Sequence, residues 1–251
     1  MMTTPKMEIT MIEQGHGAPV LVLHGGGGPS TVAGLATHLS STGLVLTPTH
    51  PGWNGTSRPT SISSVVDLAD LYLRELEQRD LSNVKVIGSS MGGWIAAEMA
   101  LRDAQRRIDR VVLINSVGVE VPGQPVVNFF SLTPRQIAEH SYHDPDRFFV
   151  DPLSLPPERR ASTQGNIATL RVLAGTRMAD PDLLGRLSAV MVPALVIWGE
   201  SDRIATPAYG RAMAQAFGNA RFALVDRAGH LPHIEQPEAT FALIDEFINR
   251  Q

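Results

Sequence analysis

The chain has 251 residues, 43% of them hydrophobic and 18% charged, with a formal net charge of −4 at pH 7 and a pI near 6.1. That composition is sufficient for a sizeable hydrophobic core in one domain with an insertion. It lacks the low hydrophobicity and high net charge that are typical of a disordered chain. The charge gives no reason to expect nucleic acid or an anionic membrane as a partner, and the lack of cysteine excludes disulfides and thiolate metal ligands.

The beginning of the chain lacks the apolar core of a secretion signal, and no apolar run approaches membrane-spanning length. We therefore expect a cytoplasmic protein without a membrane partner. Lysine occurs only at positions 6 and 85, so arginine carries most of the positive charge.

Strands and helices alternate along the chain. Apolar and β-branched runs predict strands at residues 7–13, 20–23, 44–47, 84–87, 110–115, 194–198 and 221–225. Apolar residues at helical spacing predict helices at residues 31–39, 65–76, 95–102, 207–216 and 241–248. The second helix opens on Ser64 and Asp67, which resemble a capping box with Asp in place of Glu. This alternation predicts a parallel sheet covered on both faces, with ligands at the carboxyl ends of the strands.

A strand, a sharp turn and a helix are predicted around Ser90. The turn reads Gly88-Ser89-Ser90-Met91-Gly92, which matches Gly-x-Ser-x-Gly. A side chain at the tip of such a turn needs a glycine on either side of it, because a Cβ at the flanking positions would collide with the strand or the helix. The helix N-terminus also points backbone N–H groups toward negative charge that develops on a substrate. The motif alone is equally compatible with a simple connecting turn.

A glycine-rich loop follows an upstream strand, at His24 and 25–28. Such a loop brings backbone close to a ligand, since glycine has no Cβ. It could instead cradle a phosphate, but it lacks Gly-Lys-Ser/Thr and does not complete the Gly-x-Gly-x-x-Gly spacing. We therefore expect no nucleotide cofactor.

The rhythm of the chain changes between residues 117 and 191, which contain eight of the 18 prolines. Thr133-Pro134 and Asp180-Pro181 are typical helix starts with proline at the first helical position. We predict a core domain formed by residues 1–116 and 192–251, and an inserted helical lid of three or four short helices at residues 117–191.

The Gly-x-Ser-x-Gly turn at Ser90 is preceded by the glycine-rich loop at 24–28 and followed downstream by Asp202 and then His230. In this chain order of Ser, Asp and His, the sequence resembles the serine hydrolases of the α/β-hydrolase superfamily over nearly the whole chain apart from its middle. The resemblance implies the α/β-hydrolase fold: a mostly parallel sheet of seven or eight strands, helices on both faces and an inserted helical lid. It also implies hydrolysis without a cofactor or a metal ion.

The resemblance further implies a catalytic triad. A serine hydroxyl needs a base, and the base needs an orienting carboxylate, so the implied roles are Ser90 as nucleophile, His230 as base and Asp202 as acid. His233 competes with His230, but it follows a proline and enters the last helix, so we interpret it as structural. Glu200 competes with Asp202, and some members of the superfamily place the acid after the preceding strand, where this chain offers no carboxylate before Glu120.

Two backbone N–H groups are expected to stabilise the oxyanion. The resemblance places one at Met91, directly after the nucleophile, and the other at Gly26, with Gly27 as second choice and as a substrate contact. His24 is expected to be structural. Aromatic side chains are candidates for the substrate pocket, although most such residues pack in a core or lid. These candidates are Trp53, Trp94, Phe129, Phe130, Phe148 and Phe149.

The predicted function is hydrolysis of an ester or similar acyl bond in a small, largely apolar molecule. The sequence is compatible with a homo-oligomer. Ser90 argues against the relatives that use an aspartate nucleophile on epoxides or halides. Hydroxynitrile lyases of this fold use a lysine near the site, and neither Lys6 nor Lys85 is suitably placed.

The closer alternative is a carbon–carbon bond hydrolase of aromatic ring-cleavage pathways. Such enzymes resemble this chain at residues 89–93 and 25–29, but they tend to be longer and carry tryptophan after the catalytic histidine, where this chain has Leu231. A receptor on a hydrolase scaffold is a third class. Such receptors often lack a member of the triad, and here all three residue types are present.

Overall fold

A computed structural model describes residues 9–250 of the chain. Within this range the strands are β1 (Met11–Gln14), β2 (Ala18–Leu23), β3 (Gly43–Pro48), β4 (Val84–Ser89), β5 (Ile108–Ile114), β6 (Gly118–Val119), β7 (Ala179–Asp180), β8 (Ala194–Gly199) and β9 (Ala220–Val225). The α-helices are α1 (Ala33–Leu39), α2 (Val65–Gln78), α3 (Met91–Arg102), α4 (Pro134–Ser141), α5 (Pro145–Phe148), α6 (Pro157–Ala174), α7 (Leu183–Arg186), α8 (Pro207–Ala216), α9 (Pro232–Glu235) and α10 (Pro237–Ile248). Short 3-10 helices lie at Pro29–Val32, Phe129–Ser131, Pro152–Ser154 and Leu187–Ala189.

Seven strands form one sheet in the order β1-β3-β2-β4-β5-β8-β9. β1 runs antiparallel to β3, and the other neighbours pair in parallel. The predicted mostly parallel sheet is therefore confirmed, with seven strands in the described part of the chain. Residues 7 and 8 of the predicted first strand lie outside that part.

Helices cover both faces of this sheet, because alternate side chains of each strand enter different cores. In β2, Leu21 and Leu23 join a buried cluster that includes apolar residues of α2, α3 and α8. Val20 and Val22 join a second cluster with residues of α1 and α10. Burial on both faces explains why the central strands are almost continuously apolar.

The strand order changes sides at β2: the chain places β3 on one side of β2 and β4 on the other side. β2 and β4 are therefore adjacent, and Leu23 at the end of β2 pairs with Gly88 near the end of β4. The loops that follow them therefore emerge side by side at the carboxyl edge, the usual position of a ligand site in such sheets. One loop carries the glycines 25–28, and the other carries Ser90.

Several local predictions agree with the structure. Ser64 caps α2, and the side chain of Asp67 accepts a hydrogen bond from the Ser64 N–H at 2.9 Å, which completes the capping box. Thr133 caps α4 with Pro134 in its first turn.

The middle of the chain differs from the prediction of short helices only. Its longest helix, α6, has 18 residues. The expected helix start at Asp180-Pro181 is wrong, because Asp180 ends β7 and the helix begins at Leu183. β6 and β7, near the two ends of the predicted insertion, pair with each other in a separate parallel sheet. Whether residues 117 and 191 bound a lid remains a prediction.

Candidate active site

Ser90 lies at the tip of a strained turn between β4 and α3. Its φ is 55° and its ψ −118°, a combination that a non-glycine residue rarely adopts. A Cβ on Gly88 would lie 2.0 Å from the Gly92 carbonyl oxygen, and a Cβ on Gly92 would lie 2.2 Å from the Leu23 carbonyl oxygen. Close packing of strand, helix and neighbouring strand therefore requires both glycines and leaves the Ser90 side chain partly accessible.

The structure brings together the three side chains that the sequence selected. His230 Nε2 lies 2.9 Å from Ser90 Oγ, and His230 Nδ1 lies 2.8 Å from Asp202 Oδ2. The three residues come from loops after β4, β8 and β9. His230 and Asp202 are buried, and Ser90 is partly exposed. Because the carboxylate accepts from Nδ1–H, Nε2 is left free to accept the serine proton.

Asp202, rather than Glu200, turns inward. Its Oδ1 accepts hydrogen bonds from the N–H groups of Ile204 (2.8 Å) and Ala205 (3.2 Å). Glu200 is exposed, and its nearest hydrogen-bond partner is a backbone N–H at 3.5 Å. These hydrogen bonds hold the carboxylate of Asp202 in position beside His230.

Asn115 is a member of this site that the sequence prediction missed. Its Nδ2 donates to Asp202 Oδ2 at 2.7 Å, and its Oδ1 accepts from the Gly199 N–H at 3.2 Å. The amide thus fixes both Asp202 and the start of the loop that carries it, residues 200–206, which we call the acid loop. Its position at the end of β5 was recognisable in the sequence, but its bond to a residue 87 positions away was not.

A second missed residue, Glu235, holds the loop of His230 against the middle segment of the chain. Its Oε2 accepts from Gly229 N–H (2.5 Å), and its Oε1 accepts from the N–H groups of His143 (2.9 Å) and Asp144 (3.2 Å). The His230 N–H itself donates to the Ser141 carbonyl at 2.6 Å. The residues after α4 therefore help to place the imidazole.

The glycine loop packs directly against the nucleophile. A Cβ on Gly25 would lie 2.9 Å from Ser90 Cβ and 3.5 Å from Ser90 Oγ. Within residues 9–250, the backbone N–H groups of Gly26, Gly27 and Met91 donate no hydrogen bond. Unpaired N–H groups beside a serine are available to a developing oxyanion. Which of the two glycines supplies the second donor stays a prediction.

Helix α6 covers this loop. A Cβ on Gly26 would lie 2.6 Å from Leu170 Cδ2, so Leu170 rests directly on the glycine. The buried Asn166 accepts a hydrogen bond from the Asn54 N–H at 2.8 Å, and Thr169 Oγ1 donates to the Gly52 carbonyl at 3.1 Å. One face of α6 is thus fixed to two loops at the carboxyl edge.

The two tryptophans expected to line a pocket lie in the core. Trp53 is 0% exposed, and its indole N–H donates to the Gly26 carbonyl at 3.0 Å. The expectation that Trp53 contacts substrate is therefore wrong, because its side chain has no exposed surface. Trp94 is 5% exposed and packs against Gly118, where a Cβ would lie 2.4 Å from the indole ring.

Two of the four candidate phenylalanines of the pocket, Phe129 and Phe130, are half-buried and lie between the acid loop and α6. Phe129 and Phe130 stack with ring centroids 4.3 Å apart, and the Arg171 guanidinium lies 4.8 Å from the Phe130 centroid. The N–H of Val127, two residues earlier, donates to the Ile204 carbonyl at 2.8 Å. Their contact with substrate remains a prediction.

Three further histidines near the site are buried and structural. His24 Nε2 accepts from the His50 N–H, and His233 Nε2 donates to the Thr31 carbonyl at 3.0 Å. Burial lowers the pKa of His24 well below 6.5, with His50 adding to the shift. Burial also lowers the pKa of His50 and of His233 to about 4. These imidazoles are neutral at pH 7, which agrees with the structural roles expected for His24 and His233.

These lowered pKa values predict a loss of stability in acid. An unfolded histidine titrates near 6.5, so between pH 6.5 and 4 the unfolded state binds protons that folded His233 does not. For His50 and His233, this stability is complete above pH 6.5, falls as the pH falls and levels off below pH 4, at a cost of about 3 kcal/mol each. Urea unfolding of His233→Gln should therefore show a smaller stability loss between pH 7 and 4.5 than the wild type. The exposed His16→Gln is the control, and equal slopes for His233→Gln and wild type would contradict the assignment.

The sequence and fold were compared with those of known proteins. Residues 20–243 match the model of the alpha/beta hydrolase family. The chain belongs to this family. Among its curated relatives, a 2-hydroxy-6-oxononadienedioate/2-hydroxy-6-oxononatrienedioate hydrolase of Cupriavidus pinatubonensis is 24% identical, with 94% of this chain and 89% of the relative covered. A pimeloyl-[acyl-carrier protein] methyl ester esterase of Aromatoleum aromaticum is 28% identical, with 91% and 97% covered.

Among solved structures of this fold, the meta-cleavage product hydrolase of Pseudomonas fluorescens IP01 has a TM-score of 0.79 at 21% identity, with 96% of this chain and 94% of that chain covered. At that identity the likeness is one of fold. Membership of the alpha/beta hydrolase family, together with relatives that are themselves hydrolases, supports hydrolysis as the reaction class of this chain.

Two properties of residues 9–250 bear on other expectations. No helix in this range combines the length and apolar content that crossing a membrane requires. The same residues contain no group of three or more histidine, aspartate or glutamate side chains placed to share a metal ion.

Proposed function

We propose that this alpha/beta hydrolase is a serine esterase that cleaves small, largely apolar acyl substrates through an acyl-enzyme on Ser90. The observation that carries the proposal is the hydrogen-bond chain from Ser90 through His230 to the buried Asp202. Such a chain activates a hydroxyl that is otherwise a weak nucleophile at neutral pH.

In the proposed first step, Ser90 Oγ attacks the ester carbonyl while its proton moves to His230 Nε2, 2.9 Å away. The carbonyl π electrons become an oxyanion, which the N–H of Met91 and of Gly26 or Gly27 stabilises. Asp202 stabilises the imidazolium that forms. When the tetrahedral intermediate collapses, the C–O bond to the alcohol breaks and His230 returns its proton to the leaving oxygen.

The second half repeats these steps with water. His230 Nε2 accepts a proton from water, the hydroxide oxygen bonds to the acyl carbon, and a second oxyanion forms at the same donors. Breakage of the bond to Ser90 Oγ releases the carboxylic acid and returns the proton to Ser90. Every transferred proton passes through one nitrogen, which is why its partner Nδ1 must be fixed by Asp202.

Carbon–carbon bond hydrolysis is the second candidate, because curated relatives include a 2-hydroxymuconate semialdehyde hydrolase of Pseudomonas putida at 27% identity. Against it, Leu231 follows His230 in place of the tryptophan that such enzymes tend to carry. The glycine loop and the motif around Ser90 suit either reaction.

A substrate panel separates the candidates. We would measure kcat/KM for p-nitrophenyl esters of increasing acyl length and for 2-hydroxymuconate semialdehyde, with Ser90→Ala as the blank. A higher kcat/KM on at least one ester supports the proposal, and a higher value on the semialdehyde favours the second candidate. No turnover of any substrate would contradict both and favour a receptor.

The proposed lid makes a separate prediction. If Phe130 lines the acyl pocket, Phe130→Ala should change the ratio of kcat/KM between short and long acyl esters by about tenfold. Its half-burial makes the stability loss smaller than the ~3–5 kcal/mol of a fully buried phenylalanine. Leu153→Ala, an exposed apolar residue of the same segment, is the control. Equal ester ratios in the two variants would contradict a role of Phe130 in selectivity.

A further inference from the structure

Three successive carbonyl groups of the glycine loop accept hydrogen bonds from buried aromatic N–H groups. His50 Nε2 lies 2.9 Å from the His24 carbonyl oxygen, and His24 Nδ1 lies 2.7 Å from the Gly25 carbonyl oxygen. Trp53 Nε1 lies 3.0 Å from the Gly26 carbonyl oxygen. All three rings are 0% exposed, so they contact neither solvent nor substrate.

The hydrogen-bond partners determine the protonation of both imidazoles. His24 Nε2 accepts from the His50 N–H at 3.1 Å, so the proton of the neutral ring is on Nδ1, which donates to Gly25. His50 Nε2 faces a carbonyl and therefore carries its proton, which leaves His50 Nδ1 to accept from the Tyr72 hydroxyl at 2.6 Å. Each ring nitrogen has a partner, and each carbonyl receives a donor.

The rings form one packed unit. The His24 and His50 centroids are 3.7 Å apart, and the Trp53 ring meets both edge-on at 5.6 and 5.5 Å. Tyr72 on α2 supports His50 from behind, with ring centroids 5.6 Å apart. Close packing and fixed hydrogen bonds make this unit a rigid support for a loop that belongs to no helix or strand.

Peptide geometry carries the effect to the opposite side of the loop. In a planar trans peptide, the C=O of one residue and the N–H of the next point in opposite directions. The bond from His24 to the Gly25 carbonyl therefore turns the Gly26 N–H away from the rings, and the bond from Trp53 to the Gly26 carbonyl does the same for the Gly27 N–H. Both N–H groups donate no hydrogen bond within residues 9–250, and both belong to the loop whose Gly25 packs against Ser90.

We propose that His24, His50 and Trp53 are positioning residues that hold the peptide planes of the glycine loop so that its N–H groups point at the oxyanion. This inference rests on the proposed function and adds residues that never touch the substrate. Preorganised donors stabilise a transition state because they need no reorientation during the reaction. Losing one of the aromatic donors lets a glycine peptide rotate, and glycine peptides rotate easily.

Trp53→Phe is the direct test, because it removes the indole N–H and keeps an aromatic ring. We would measure kcat and KM on the best ester of the panel, and the inhibition constants of an aryl trifluoromethyl ketone and of the product acid. The ketone bonds to Ser90 and forms an oxyanion, whereas the acid binds without one. We expect kcat to fall about tenfold and ketone affinity to fall equally, with KM and product affinity within twofold of wild type.

Trp198→Phe is the matched control. Trp198 is also 0% exposed and its indole N–H donates to a backbone carbonyl, that of Ala205, at 2.8 Å. It should lose comparable thermal stability while keeping the wild-type ratio of ketone affinity to product affinity. An equal change of this ratio in both variants would overturn the proposal, because the effect would then follow from any buried indole.

Tyr72→Phe provides a second test, because within residues 9–250 the Tyr72 hydroxyl hydrogen-bonds only to His50. Without the hydroxyl, His50 Nδ1 loses its donor, and the His50 ring, which packs against the His24 ring, loses a contact that fixes it. The hydrogen bond from His24 Nδ1 to the Gly25 carbonyl, which sets the Gly26 N–H, is then held less firmly. We expect the same pattern as for Trp53→Phe: kcat and ketone affinity fall while KM is kept. If the wild type turns over the ester and both variants match its kcat, the positioning role alone is overturned. A wild type that neither turns over the ester nor binds the ketone would overturn the proposed function and, with it, this role.

Discussion

Asp202→Asn is expected to lower kcat about 10⁴-fold while the protein stays folded, as the same replacement does in a comparable triad. The hydrogen bonds of Asp202 explain why. Oδ1 accepts from the N–H groups of Ile204 and Ala205, so an asparagine keeps its oxygen there and turns its NH₂ toward His230. An NH₂ group faces Nδ1 only when Nδ1 is unprotonated, and the imidazole then carries its proton on Nε2. That tautomer has no lone pair to accept the proton of Ser90.

The matched control is Glu200→Gln, in the same loop two residues earlier. Glu200 is exposed, so its replacement should change kcat less than twofold and leave the thermal transition unchanged. Steady-state kinetics and thermal unfolding of the two variants check this. A large effect at Glu200 with none at Asp202 would show that the acid has been assigned to the wrong carboxylate.

Ser90→Ala is expected to abolish covalent catalysis. The remaining rate would come from substrate binding and the oxyanion donors, which in comparable triads give ~10³–10⁴-fold over water, several orders of magnitude below the intact enzyme. Alanine also removes no hydrogen bond that the fold needs, since Ser90 Oγ bonds only to His230 among the described residues. The residual rate would be measured by kinetics on a Ser90→Ala preparation pure enough that contaminating hydrolases contribute less activity than the variant itself.

The neighbouring serine offers a close control. Ser89 is buried, and its hydroxyl has no hydrogen-bond partner within residues 9–250. Ser89→Ala should therefore keep kcat within a few fold of wild type. An activity of Ser90→Ala within tenfold of wild type would contradict the serine-hydrolase proposal, whatever the result at Ser89.

Local patterns predicted the parts of the fold that depend on neighbours in sequence. The capping box at Ser64 and Asp67 and the helix Pro207–Ala216 agree with the structure because each is determined by residues within a few turns. The turn at Ser90 was predictable for the same reason, since its glycines lie two positions on either side.

The missed features depend on long-range contacts. Gly165, Asn166 and Thr169 are weak helix formers, and α6 is stabilised by the contacts that its inner face makes with the glycine loop and with residues 52–54. Asn115 and Glu235 act through partners about 90 positions away, which no spacing rule connects.

Trp53 shows the same limit for a single side chain. An aromatic residue in a loop at the carboxyl edge of the sheet is typical of a pocket wall, and the sequence contains no sign that its indole N–H reaches the Gly26 carbonyl. Trp53 is buried because the loop after β3 packs against the loop after β2, a contact between segments that are distant in sequence.

The most direct test of the central claim is to locate a covalent adduct. Wild-type protein would be treated with a fluorophosphonate probe, digested with trypsin and analysed by mass spectrometry, with fragment ions that separate Ser90 from Ser89 in the peptide between Lys85 and Arg102. We predict one probe per chain, bonded to Ser90 and absent from Ser90→Ala. No adduct on the wild type, or an adduct that persists in Ser90→Ala, would contradict the assignment of Ser90 as the nucleophile.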